Sequence, residues 1–68
     1  MIRRLTMKQF QKVRLMTDKY VDEGVKKGDI GVILEVYDEN NFEVDFSDRN
    51  GITILLYSFS KDEFELAE

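Results

Sequence analysis

Apolar and polar residues alternate at period two in several short stretches of this chain, a spacing that predicts strands rather than helices. In Phe10–Met16, Val13 and Leu15 share one face while Lys12 and Arg14 share the other. Phe42-Glu43-Val44-Asp45-Phe46 alternates without an error, apolar inward and acidic outward. Phe64-Glu65-Leu66 alternates again and predicts a short last strand. Two further stretches, Ile30–Tyr37 and Ile52–Tyr57, are apolar on both faces. In the first of them Ile30, Val32, Leu34 and Val36 lie on one side, and Gly31, Ile33, Glu35 and Tyr37 on the other. Such a pattern fits a strand covered on both sides, or a bulge that swaps the faces midway.

Turn chemistry separates these stretches. Gly28-Asp29 opens the second strand, and Gly31 inside it marks a bend or a close backbone approach. Asp38-Glu39-Asn40-Asn41 is a turn, because Asp and Asn side chains bond their own backbone. Ser47-Asp48-Arg49-Asn50-Gly51 is a hairpin loop whose Asn-Gly supplies positive backbone angles. Ser58–Glu63 reads as a tight turn or one 3₁₀ turn, with Ser60 as its cap. Thr17–Lys27 is a long loop whose apolar Tyr20 and Val21 fold over one end of the domain, with room for a single helical turn at Asp18–Asp22.

Five short strands, one long early loop and a 3₁₀ turn before the last strand predict an all-β fold, a small five-stranded SH3-like barrel. Closing the sheet hides its edges. An open three-stranded meander with a terminal helix is the rival, and the barrel is preferred because the second and fourth strands call for cover on both faces. Residues 1–9 form a basic N-terminal segment, either frayed or closing the barrel end with Ile2 and Leu5, and residues 10–68 form the domain.

A chain of 68 residues makes one domain with a small core, burying about 60% of the surface its unfolded form exposes. It has no cysteine and no histidine, which removes disulfides and the common structural zinc sites. The lack of cysteine suits a reducing cytosol. Lys8, Gln9 and Gln11 interrupt any apolar run after the N-terminal charges, and no apolar window approaches the roughly 20 residues of a membrane span. The expectation is a soluble, cytoplasmic protein without a leader.

The net charge of −4 conceals an asymmetry, +3 over residues 1–37 and −7 over residues 38–68. Such a field steers charged partners and leaves the fold alone. Catalysis lacks candidates: there is no histidine or cysteine, no Gly-x-Ser-x-Gly and no phosphate-binding glycine loop. Glu43 and Asp45 on one strand face read as solvated charges, since catalysis by two acids requires an apolar pocket around one of them. The expectation is no enzyme and no cofactor. Asp38–Glu43 is rich in oxygen ligands but lacks the spacing and glycine of a calcium loop, so no metal is expected. Lys12, Arg14, Lys26 and Lys27 are the residues that would meet nucleic-acid phosphates, with Tyr20 or Phe10 stacking a base. The acidic second half opposes that reading.

The stretch Glu23-Gly24-Val25-Lys26-Lys27-Gly28-Asp29-Ile30-Gly31-Val32-Ile33-Leu34-Glu35-Val36 resembles the opening of KOW-type and nitrile-hydratase-beta-like barrels. More closely, it resembles a family of very small bacterial proteins known only as a domain of unknown function. Phe42–Phe46 and Asp48–Gly51 continue the match, so the likeness spans about residues 12–66. Val32 stands where that family commonly has threonine, and Leu56-Tyr57-Ser58-Phe59 replaces its leucine-threonine segment. The resemblance implies an SH3-like barrel from a family whose genes often sit among toxin and immunity genes. It suggests an immunity protein that blocks a nuclease-type toxin by occluding a basic groove, with an accessory module binding RNA or an enzyme subunit as the alternative. The residues expected to meet a protein partner are Tyr37, Asp38, Glu39, Glu43, Asp45, Asp48, Tyr57 and Phe59, the aromatics reading equally well as core.

Overall fold

A computed structural model describes residues 7–67. The five strands are β1 (Lys12–Leu15), β2 (Ile30–Val36), β3 (Asn41–Ser47), β4 (Thr53–Ser60) and β5 (Phe64–Leu66). Single 3₁₀ turns lie at Val21–Glu23 and Lys61–Glu63. All pairings are antiparallel, and the strand order is β4-β3-β2-β1-β5. The fold is therefore the expected all-β, five-stranded, barrel-like domain with a 3₁₀ turn before its last strand. Among the described residues its sheet stays open between β4 and β5, so closure does not hide both edges there. Curling brings the ends together nonetheless. Phe42 of β3 and Phe64 of β5 lie three strand spacings apart, about 14 Å in a flat sheet, yet their ring centroids are 5.4 Å apart.

Alternation decides what faces inward. Val13 and Leu15 of β1, and Phe42, Val44 and Phe46 of β3, are all buried. They meet Ile33, Phe59 and Phe64, and the long loop adds Tyr20 and Val25 as a lid. Of the two loop residues expected to fold inward, Tyr20 does so while Val21 remains exposed, and Val25 takes the second place. Gly24 ends the first 3₁₀ turn in the left-handed conformation, which sets the direction of the chain toward Val25.

β1 begins later than the alternation suggests, because Phe10 has a φ of 72° and sits exposed in a turn before the strand. Its N–H still bonds the Ile33 carbonyl. β4 runs longer than expected, through Ser58, Phe59 and Ser60. The turn begins only at Lys61, where Ser60 and Glu63 form a reciprocal capping box. Residues 1–6, and with them the predicted roles of Ile2 and Leu5, lie outside the described residues.

The second strand resolves its ambiguity through a bulge. Gly31 pairs with Phe46 and Ile33 with Val44, after which the register shifts so that Glu35 pairs with Glu43 and Val36 with Phe42. Leu34 is the residue left over, and its carbonyl accepts a bond from the Gln9 side chain. The predicted four-residue face of Ile30, Val32, Leu34 and Val36 is thus broken, since Val36 now stands opposite Phe42 at the strand's end, where it stays exposed.

Glu63 ties the lid to this framework. One carboxylate oxygen accepts the Ser60 N–H at 2.9 Å, and the other accepts the Tyr20 hydroxyl and the Lys19 ammonium. Burial opposes its charged form, but these three donors outweigh burial and hold the carboxyl below the ordinary glutamate value. Burial, followed by Glu63 itself, pushes the Tyr20 hydroxyl well above the ordinary tyrosine value. Because the folded state lowers the Glu63 value, its contribution is complete above the ordinary glutamate range and disappears as pH falls through the folded value. Tyr20→Phe removes one donor to a charged acceptor and is expected to cost about 1.5–3 kcal/mol at neutral pH. That deficit should shrink on acidification, measured as urea midpoints from pH 7 to pH 3; a deficit independent of pH would show that Glu63 is not the partner that matters.

Candidate acidic interface

The outward faces of the strands present one strip of each kind. β1 contributes Lys12 and Arg14, β2 contributes Ile30, Val32 and Leu34, and β3 contributes Glu43 and Asp45. Lys12, Val32, Asp45 and Leu56 form one row across four strands by register. A basic strand and an acidic strand therefore flank a partly exposed apolar one. Arg14 is already engaged across the sheet by Glu65 at 2.9 Å, and Lys26 by Asp29 at 3.2 Å. Among the described residues no cation pairs with Glu35, Glu43 or Asp45.

The bulge produces the most informative juxtaposition. It sets Glu35 directly opposite Glu43, and like charges directly opposite on neighbouring strands destabilise a sheet. Tyr37 follows at the end of β2, more than half exposed. Desolvation, then the carboxylates of Glu43 and Glu35, push its hydroxyl above the ordinary tyrosine value. Glu35 was not among the expected site residues, because only the shifted register places it here; the signal available earlier was the bulge itself. Glu43→Lys should turn the repulsion into an attraction and stabilise the isolated domain by about 0.2–1 kcal/mol. A lower urea midpoint for Glu43→Lys would refute the opposition.

The expected partner residues do not form one surface. Tyr37, Asp38, Glu39 and Glu43 gather at the β2–β3 end, Asp45 lies along the strand, and Asp48 sits in the hairpin at the far end. The carboxylate of Asp38 accepts bonds from the Asn40 N–H and the Asn41 amide, which hold it below the ordinary aspartate value. Asp48 likewise accepts the N–H groups of Asn50 and Ile52. Both aspartates therefore shape their turns while staying exposed. Tyr57 lies on β4 opposite Val44, beside the Tyr20 ring and away from the acidic strip. Phe59 is 0% exposed and belongs to the core, so it offers a partner no surface. Tyr20, the other proposed base-stacking residue besides Phe10, is buried beneath Lys19 and against Phe59.

Elsewhere, an open hollow lies between the Gly24–Asp29 loop and the β3–β4 hairpin, lined by Ile30 and Ile54 together with Lys26, Asp29, Asp48 and Arg49. Its charges are mixed. Among the described residues, no buried side-chain polar atom lacks a partner and no three Asp or Glu side chains converge as metal ligands. No helix among them is long and apolar enough to cross a membrane.

A family model described as Domain of unknown function (DUF4926) matches residues 9–66. No curated protein matches the chain, and no solved structure does.

Proposed function

The chain belongs to the DUF4926 family, and from that premise we propose that it is a non-enzymatic protein-binding module whose acidic strip receives a basic partner. The observation that carries this reading is the Glu35–Glu43 opposition beside Tyr37. A fold that keeps two like charges face to face, without a cation of its own among the described residues, gives up stability that a cationic partner restores. Asp45 extends the strip, and Asp38 and Glu39 widen it at the turn. The specific form proposed is an immunity protein acting in the cytoplasm. Its acidic strip would cover the basic active-site groove of a nuclease-type toxin.

The test is association with a nuclease-type protein encoded beside this chain's gene, followed by rapid mixing at several salt concentrations. Glu43→Lys combined with Asp45→Lys should lower the association rate about tenfold or more at low salt, with less effect at high salt. Unchanged rates would overturn the acidic-strip reading. Salt-sensitive binding to RNA in place of protein would instead select the accessory-module alternative, in which exposed Lys12 and Lys27 meet phosphates.

A further inference from the structure

Side chains, not backbone, join the long loop of residues 17–27 to the sheet. Its ends are pinned together, the Leu15 N–H bonding the Asp29 carbonyl at 2.9 Å and the Gly28 N–H bonding the Leu15 carbonyl at 2.7 Å. Between these pins the hydrogen bonds are local. The N–H groups of Val21, Glu23, Gly24 and Val25 all bond carbonyls of the loop itself, and the Lys27 N–H bonds the Asp18 carboxylate. Among the described residues no backbone bond from 17–27 reaches a strand. A loop with closed ends, packed on itself, is a unit in its own right. Only Tyr20 and Val25 are buried from it, while Gly24 passes close to the Ile54 side chain. Tyr20 spans the open side of the sheet. Its ring meets Phe59 and Tyr57 of β4, and its hydroxyl bonds Glu63 just before β5.

We propose that residues 17–27 form a hinged lid that opens as one unit while the sheet stays folded, with the contact of Tyr20 on Glu63 as its latch. The catch is set from outside the lid. Ser60 donates its N–H to the other Glu63 oxygen, and the Glu63 carbonyl accepts the Met16 N–H, so Glu63 keeps its place when Tyr20 leaves. Opening breaks no strand pairing. It releases two buried side chains and the Tyr20 and Lys19 bonds to one carboxylate. Segments with few buried side chains and local, exposed backbone bonds occupy the low-stability end of a fold. The open form uncovers the Phe59 ring along the side where, among the described residues, β4 and β5 do not pair. The acidic strip on the outer face is untouched, so the lid stands independently of the binding role proposed above.

Native-state hydrogen exchange, followed amide by amide through low urea concentrations, tests the proposal. In the wild-type chain the Glu23 and Gly24 amides, bonded inside the lid, should be protected yet exchange faster than the Val44 amide of central β3. Their exchange should depend little on urea, because opening exposes little surface, whereas that of Val44 should depend on it steeply. Tyr20→Phe should speed exchange at Glu23 and Gly24 about tenfold or more. Gly31→Ala, which strains the sheet beneath, should speed exchange at Val44 and leave the two lid amides unchanged. Lid amides that follow Val44 through urea, or under Gly31→Ala, would show that the loop opens only with the whole domain and would overturn the proposal. So would lid amides unprotected in the wild type or indifferent to Tyr20→Phe. The urea series needs no variant, so a variant that fails to fold leaves the test decisive.

Discussion

Phe59→Ala is expected to leave the domain largely unfolded at 25 °C. Phe59 is fully buried, and its ring meets Tyr20 at 4.8 Å, Phe46 at 5.4 Å and Tyr57 at 5.7 Å between centroids. It is the point where the lid loop, β3 and β4 converge. Truncating such a phenylalanine costs about 3–5 kcal/mol, from lost transfer energy and the cavity left behind. A single core in a chain below about 70–80 residues rarely supplies more than about 3–5 kcal/mol in total. The loss is therefore of the same size as the whole stability. Phe59→Leu, which keeps most of the volume, should remain folded at a cost of about 1.5 kcal/mol or less. Urea titration followed by circular dichroism distinguishes the two. A Phe59→Ala variant that kept the wild-type midpoint would contradict its place in the core.

Gly31→Val should be nearly as damaging, against what strand propensity alone suggests. Glycine weakens a strand and valine favours one, so the substitution looks stabilising on paper. In the fold, Gly31 is buried opposite Phe46. A β-carbon there would lie 2.8 Å from two Phe46 ring atoms and 2.9 Å from a Val44 methyl. Both neighbours are fully packed in the core and have nowhere to retreat. Overpacking of this kind costs about 1–3 kcal/mol for small additions and more for a branched side chain. Gly31→Ala should fall in that range and Gly31→Val beyond it. Combining Gly31→Ala with Val44→Ala should recover part of the loss, a non-additivity measurable by a double-mutant cycle. Additive losses would place the strain elsewhere.

The two cases show where sequence pattern stops being informative. For β3, alternation identified every inward residue, because an isolated strand with one polar face has one reasonable orientation. For β2 and β4, apolar residues on both sides left the orientation open. Of the two readings open for β2 the bulge is the one its register shows, whereas cover on both faces, the ground for preferring a closed barrel, is lacking among the described residues for a physical reason. A chain of this size has one core, and once Tyr20, Val25 and the curled sheet enclose it, no segment among the described residues remains to cover the outer side of Ile30 or Leu56. Phe59 was ambiguous by the same logic, since its position near a strand end does not say which end the lid loop covers.

The acidic strip was partly readable. Glu43 and Asp45 point outward by alternation alone, and Asp38 and Asp48 were visible as turn residues. Their turn-shaping bonds and the opposition of Glu35 to Glu43 were not, because both depend on atoms brought together by folding.

By itself, then, the sequence determined the all-β class, the order of the strands along the chain, the turns between them and the inward face wherever polar and apolar residues alternate. These are local properties, set by backbone sterics and side-chain period over a few residues. Tertiary structure alone decided the bulged register of β2, the lid that buries Phe59, the close approach at Gly31 and, among the described residues, the open sheet between β4 and β5. Each depends on how strands distant in sequence share one small core, and on how much apolar surface so short a chain can enclose.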